Sequence, residues 1–400
     1  MHRRWASVVR GPAVLALVCF AAGAGCGGCA SKPEAYPVQI SYSARKDWIV
    51  DRLPTIVPEA QEENGRFEEG IESIPSRGGR AYDPAAAPEP DRTELNTFLN
   101  ANFGSPASPT MAGDDATRAL AANLGLSDDN LAAGSTLFRR HCQECHGLNG
   151  DGRGPTGPWL TPHPRDFRQG VFKFVSTNGS GPRKPTRSDL FRTLSNGLPS
   201  TAMPSFALRS EDERHRLIDY VMFLSIRGRT EFEVLRTLLT EGDDGLNGDV
   251  ATEAAAIAKA QLQAWTAAET DRTPVPPSPV AEDSSALADS IRRGHAIFID
   301  AKGGACATCH GDDGRQGKLQ YDVWGTLLKP ANLTETRRKG GDGAENLYLR
   351  IRGGIGPSNM PAAGALTDAQ TWDVVHFLRA LPYPDKLPAD IKDRVYGDGK

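Results

Sequence analysis

The chain has 400 residues, a formal net charge of −4 and a mean hydropathy of −0.43, and that length predicts two or three domains. Aromatic residues make up only 7% of it, so no single large apolar core is expected. The mildly acidic balance excludes a chain that seeks nucleic acid or an anionic lipid surface by charge.

The N-terminus carries Arg3, Arg4 and Arg10, an apolar stretch from Pro12 to Ala22, and then small residues. That is the layout of a bacterial export signal over residues 1–25, and the apolar run is too short to span a membrane. Its end, Gly23, Ala24, Gly25 and Cys26, resembles a lipobox, which makes Cys26 the candidate lipidation site and predicts a lipid anchor on the periplasmic side of a bacterial membrane. Gly23 stands where such signals usually have a larger apolar residue, Cys29 is a rival acceptor, and the alternative is a cleaved periplasmic protein. Losing the three arginines takes the net charge from −4 to −7.

Residues 26–126 read as an extended N-terminal tether. Prolines interrupt every apolar run, Val38, Ile40 and Tyr42 alternate, and one helix is predicted over Asp91–Asn102 with Asp91 as N-cap. The next unit, 127–229, opens with a helix capped by Ser127 that carries Leu131, Gly134 and Phe138 toward Cys142, Gln143, Glu144, Cys145 and His146. C-x-x-C-H is the attachment signature of a c-type haem. Two thiols three positions apart each add to one vinyl group of a single porphyrin, and the following histidine ligates the iron. A Gly- and Pro-rich loop follows. Then come a short helix from Thr186, a loop from Gly197 to Met203 and Pro204, and a closing helix from Ser210 to Arg227 with Leu217, Tyr220, Val221 and Leu224 on one face.

Residues 230–283 form a helical and Pro-rich linker, in two helical pieces split at Gly242–Gly248 and ending in an extended Pro274–Pro279 segment. The unit 284–386 then repeats the first, and 387–400 is a tail. Cys306, Cys309 and His310 repeat the motif; Gly294 and Phe298 match Gly134 and Phe138; Pro330–Leu333 echoes Pro164–Phe167; Met360 and Pro361 match Met203 and Pro204. Of the seven cysteines, four are in the two motifs and three lie near the N-terminus, so no disulfide framework is expected.

Both halves resemble class I cytochrome c domains, and the pair resembles bacterial mono- and dihaem cytochromes c, with a looser likeness to the planctomycete-type lipoprotein cytochromes in Phe103–Pro106, Pro164–Phe167 and Thr201–Phe206. The resemblance implies a mainly α fold of two tandem class I domains, in which the first and last helices of each cross at Gly134 and Gly294. It implies two covalently attached haems c, with Cys142, Cys145, His146 and Met203 binding the first and Cys306, Cys309, His310 and Met360 the second. The iron ligands are then His146, Met203, His310 and Met360, since a soft thioether suits low-spin iron. It also implies a proline carbonyl as acceptor for each proximal imidazole, from Pro155 or Pro158 in the first unit and Pro330 in the second.

His141, His163, His215, His295 and His376 read as surface or packing residues. Lys173, Arg183, Lys184 and Arg187 form a basic run that is either a docking or propionate-pairing patch or a solvated loop, and Trp159 and Trp324 lie in the two haem loops. With both axial positions filled, electron transfer is the expected function, with no catalytic residues. The resemblance alone implies redox partners such as a quinol-oxidising complex and a terminal oxidase or reductase. The alternatives are a dihaem cytochrome c peroxidase, or a haem subunit of a periplasmic dehydrogenase or oxidase complex.

Overall fold

The structure is a computed structural model that describes residues 40–52, 80–178, 183–315, 317, 319–321 and 327–397. The export signal, Cys26, Val38 and Trp324 lie outside the described residues. The architecture is mainly α. In chain order the helices are α1 (Glu89–Phe103), α2 (Asp115–Asn123), α3 (Asp128–His141), α4 (Gln143–His146), α5 (Arg187–Asn196), α6 (Glu211–Thr240), α7 (Val250–Thr270), α8 (Leu287–Ile299), α9 (Ala307–His310), α10 (Ala344–Gly353), α11 (Asp368–Ala380) and α12 (Ala389–Tyr396). Among the described residues strand is confined to three short antiparallel pairs.

Local capping chemistry explains half of these helix starts. The Ser127 hydroxyl accepts from Asn130 N–H, while Thr186 with Asp189, Ser210 with Glu213 and Thr367 with Gln370 form reciprocal capping boxes. The helix predicted to begin after Asp91 starts earlier, at Glu89 behind Pro88. Pro90 lies in its first turn, where a missing N–H costs nothing. Helix α2, capped by Asp114, was not anticipated.

In each half the first and last helices cross at a glycine. A Cβ on Gly134 would collide with the Arg216 carbonyl, and one on Gly294 with the Asp373 carbonyl. The neighbouring rings pack alike, Phe138 at 5.3 Å from Tyr220 and Phe298 at 5.4 Å from Phe377. Two separate apolar clusters result. One is built on α1, α3, α6 and α7, and the other on α8, α10 and α11.

The closing helix of the first half does not stop at Arg227. It continues unbroken to Thr240 because Thr230, Glu231, Phe232, Val234, Leu235 and Leu238 are buried, and packing outweighs the low helix propensity of Gly228. Helix α7 then folds back, and its Trp265 meets Phe172 edge-on at 5.6 Å. Leu95, Leu99 and Phe103 of α1, with Leu124 and Leu126, enter the same core. More of the segment before residue 127 is therefore buried than a loose tether requires.

Candidate functional site

Cys142, Cys145 and His146 occupy a single turn at the end of α3 and through α4, where the carbonyl of Cys142 accepts from Cys145 N–H at 3.1 Å and from His146 N–H at 2.8 Å. Cys306, Cys309 and His310 repeat it, with Cys306 accepting at 3.2 and 3.0 Å. All four thiols are half-buried and none is in a disulfide. Burial pushes the Cys142 thiol up to about 12 and Cys306 up to about 11, so both are neutral thiols rather than thiolates at neutral pH.

Each histidine is oriented from behind. His146 Nδ1 donates to the Arg165 carbonyl at 3.0 Å, and His310 Nδ1 donates to the Ala331 carbonyl at 3.1 Å. That fixes the tautomer and leaves Nε2 as the nitrogen for ligation. Burial lowers both imidazoles, His146 to about 4, which keeps them neutral as ligation demands. The acceptors are not the expected proline carbonyls of Pro155, Pro158 or Pro330. In both halves the acceptor is the residue after a proline, Pro164–Arg165 and Pro330–Ala331, because a second bond sets the loop. Phe167 N–H donates to the Gly150 carbonyl at 2.7 Å, and Leu333 N–H to Gly314 at 2.8 Å. Phe167 also stacks on the His146 ring with centroids 4.6 Å apart.

Met203 and Met360, both half-buried, sit on loops closed by the same two backbone bonds. Leu198 N–H donates to Met203 O at 3.2 Å and Phe206 N–H to Leu194 O at 3.0 Å; Ile355 N–H donates to Met360 O and Ala363 N–H to Ile351 O, each at 2.9 Å. The turns begin at Gly197 and Gly354, with φ of 65° and 63°, where only glycine is unstrained.

The remaining candidates are placed differently from expectation in part. Lys184 is buried and donates to the Gly170 carbonyl, Arg187 binds Asp219 and the Leu124 carbonyl, and Arg183 binds the Thr177 and Gly353 carbonyls. These three cations of the basic run thus tie segments together rather than forming a solvated loop or an outward patch. His215 stacks on Phe191 and His295 packs edge-on to Phe377. His376 meets Ser278 and Ser290. Trp159 is 84% exposed.

The donor set fits a covalently held haem. Each site offers two thiols outside any disulfide on one turn, an imidazole with one nitrogen committed and one left over, and a thioether on a separate wall. Among the described residues no group of three or more His, Cys, Asp or Glu side chains gathers to hold a metal ion.

Residues 129–221 match the family model described as cytochrome c oxidase, cbb3-type, subunit III, and residues 291–382 match the model described as cytochrome c. The two halves are cytochrome c domains in tandem, and the chain is a multi-domain c-type cytochrome. Such domains bind haem c, with its iron, covalently and transfer electrons; the protein is accordingly an electron carrier. Among solved structures, a chain of the reducing HAO-like protein complex of Kuenenia stuttgartiensis matches with 25% identity, covering 62% of this chain and 95% of that one at a TM-score of 0.44. No curated protein matches.

Proposed function

We propose that the chain is a dihaem carrier in a bacterial respiratory chain, with two His/Met-ligated centres. Cys142, Cys145 and His146 would hold the first haem with Met203 as distal ligand, and Cys306, Cys309 and His310 the second with Met360. The observation that carries this reading is the duplicated frame: in both domains an Nδ1-to-carbonyl bond orients the histidine, and the same two backbone bonds close the methionine loop.

When bound, haem supplies a one-electron iron couple. The protein keeps each imidazole neutral and aimed, and Met203 and Met360 would offer a soft sulfur that favours the reduced state. The haems would supply the one-electron exchange between a donor and an acceptor.

Redox proteins are the partners, and we assign a quinol-oxidising complex as donor and a terminal oxidase or reductase as acceptor. A lipid on Cys26 would hold the protein at the periplasmic face of the membrane; among the described residues no helix is long and apolar enough to cross it.

Potentiometric titration with absorbance detection tests the reading. Two haems per chain and two one-electron waves are expected. A single haem, or turnover of hydrogen peroxide by the reduced or mixed-valence protein, would overturn it.

A further inference from the structure

The segment 40–47 is wrapped against the first domain by bonds that span most of that domain's sequence. The buried Tyr42 hydroxyl shares a hydrogen bond of 2.8 Å with Tyr220, and the Arg227 guanidinium lies 4.7 Å over the Tyr42 ring. Ser43 and Asn149 exchange two bonds, Ser43 N–H to Oδ1 at 3.3 Å and Asn149 Nδ2 to the Ser43 carbonyl at 2.9 Å. The strap therefore grips the loop just after Cys145–His146.

It also grips the loop that orients His146. Arg168 donates to both oxygens of Asp166, from Nε at 3.0 Å and from Nη2 at 2.8 Å, while its Nη1 pairs with Asp47 at 3.0 Å. Asp47 in turn takes Arg45 Nη1 at 3.1 Å, and Arg45 N–H donates to Glu231 at 2.8 Å. Glu231 closes the cluster on Arg227 at 3.4 Å. The Arg168 side chain is 3% exposed and that of Arg45 0%, so these charges are scarcely screened by water. Gly228 makes the room, since a Cβ there would strike Arg168.

Among the described residues the second domain's acceptor loop is held differently, by Arg338 donating to the Leu333 carbonyl at 2.8 Å and by Asn332 Nδ2 donating to Glu335 at 3.3 Å, with no Arg–Asp pair on the loop itself. Where the first has Arg165, Asp166, Phe167 and Arg168, the second has Ala331, Asn332, Leu333 and Thr334. Asn332 Oδ1 accepts from Thr334 N–H at 3.0 Å and from its hydroxyl at 2.7 Å, which reproduces the turn with a neutral side chain in the place of Asp166.

We propose that Asp47, acting through Arg168 and Asp166, is a positioning residue for His146, and that this strap sets the potential of the first centre apart from that of the second. The inference rests on the dihaem reading. In the cluster three arginines, Arg45, Arg168 and Arg227, face three carboxylates, Asp47, Asp166 and Glu231. Removing one carboxylate leaves an uncompensated buried cation beside the site, which favours the reduced iron and raises its potential. Removing an arginine leaves an anion and lowers it. Loosened packing cannot imitate this pair of signs, because water admitted to the site lowers the potential whichever partner is lost.

The test is absorbance-detected potentiometry on the full-length haem-loaded protein, comparing Asp47→Asn, Asp47→Glu and Arg168→Met. The full-length Met203→His variant identifies the wave of the first centre. Asp47→Asn should move that wave up, Arg168→Met should move it down, Asp47→Glu should restore it, and the other wave should stay in place. Should Arg168→Met fail to fold, the near-isosteric Asp47→Asn and its Glu partner still give the sign. A first-centre wave that stays still, or moves down in Asp47→Asn, overturns the inference. Met203→His shifting neither wave would instead remove Met203 as the ligand of the first centre, and a single haem per chain would bring down the dihaem reading, so these failures are distinguishable from that of the inference.

Discussion

Arg183 donates from Nη2 to the Gly353 carbonyl at 2.6 Å, and Arg350 donates back from Nη2 to the Val175 carbonyl at the same distance. The two arginines cross between the domains in opposite directions, and Gly353 is the last residue of α10, directly before the turn into the Met360 loop. Arg350 is buried, and its Nε and Nη1 find no partner. Arg350→Ala should therefore strip the buried Val175 carbonyl of its donor and cost about 1–3 kcal/mol, the usual penalty for an orphaned buried acceptor. Urea unfolding followed by circular dichroism reads it; an unchanged midpoint would show the crossing to be ornamental.

The helix crossings predict a size limit. Gly294→Ala places a methyl against the Asp373 carbonyl and the Phe377 side chain, so the helices must separate. A loss of about 1–3 kcal/mol is expected, as for overpacking in a tight core. Gly134→Ala should do the same in the first domain. Denaturant midpoints check both.

Lys184 gives a pH signature. Burial lowers it to about 7 from 10.5, with its ammonium held by the Gly170 carbonyl at 2.8 Å and 5.7 Å over the Trp265 ring. Between those two values the unfolded chain holds a proton that the folded chain has lost, so stability rises with pH across that window. Each unit of the difference is worth about 1.4 kcal/mol. Lys184→Met should flatten the rise between pH 7 and pH 9.5, relative to the unsubstituted protein, in melting temperature measured by calorimetry.

Met360→His should keep the second haem attached while lowering its potential, since a second imidazole stabilises ferric iron relative to a thioether. The first wave should not move. Redox titration tells the two apart, and no displacement of the second wave would remove Met360 from the coordination sphere.

Cys26→Ser should release the protein from membranes into the soluble periplasmic fraction. Fractionation followed by haem staining is the measurement. Continued sedimentation with membranes would argue for a different mode of attachment.

Much of the frame was legible because its signals are local. The pentapeptides at Cys142 and Cys306 are contiguous, the caps at Ser127, Thr186 and Ser210 lie within four residues of their partners, and the two methionine loops share Gly and Pro landmarks. What escaped the sequence is non-local. Tyr42 meets Tyr220 and Arg45 meets Glu231 across 178 and 186 residues, and no periodicity announces such bonds. The true acceptors Arg165 and Ala331 are backbone carbonyls, which any residue supplies, so side-chain identity could not select them. The run at Lys173–Arg187 looked solvent-directed because cations usually are. Lys184 instead turns inward against Trp265, a residue some eighty positions further along.

The connection between the domains has one more consequence. Thr273 N–H donates to the Ser176 carbonyl at 2.8 Å, Asn178 N–H to Asp271 at 2.9 Å, and Trp372 Nε1 to Pro276 at 3.0 Å. The linker is thus fastened to the first domain at one end and to the second at the other, and behaves as a strut. If the chain holds the two haems proposed, an electron passing between them would cross a gap of constant width, with no diffusive search to gate it. Its rate would then be indifferent to solvent viscosity, and a few residues inserted near Pro279 would bulge outward without changing it while those fastenings held.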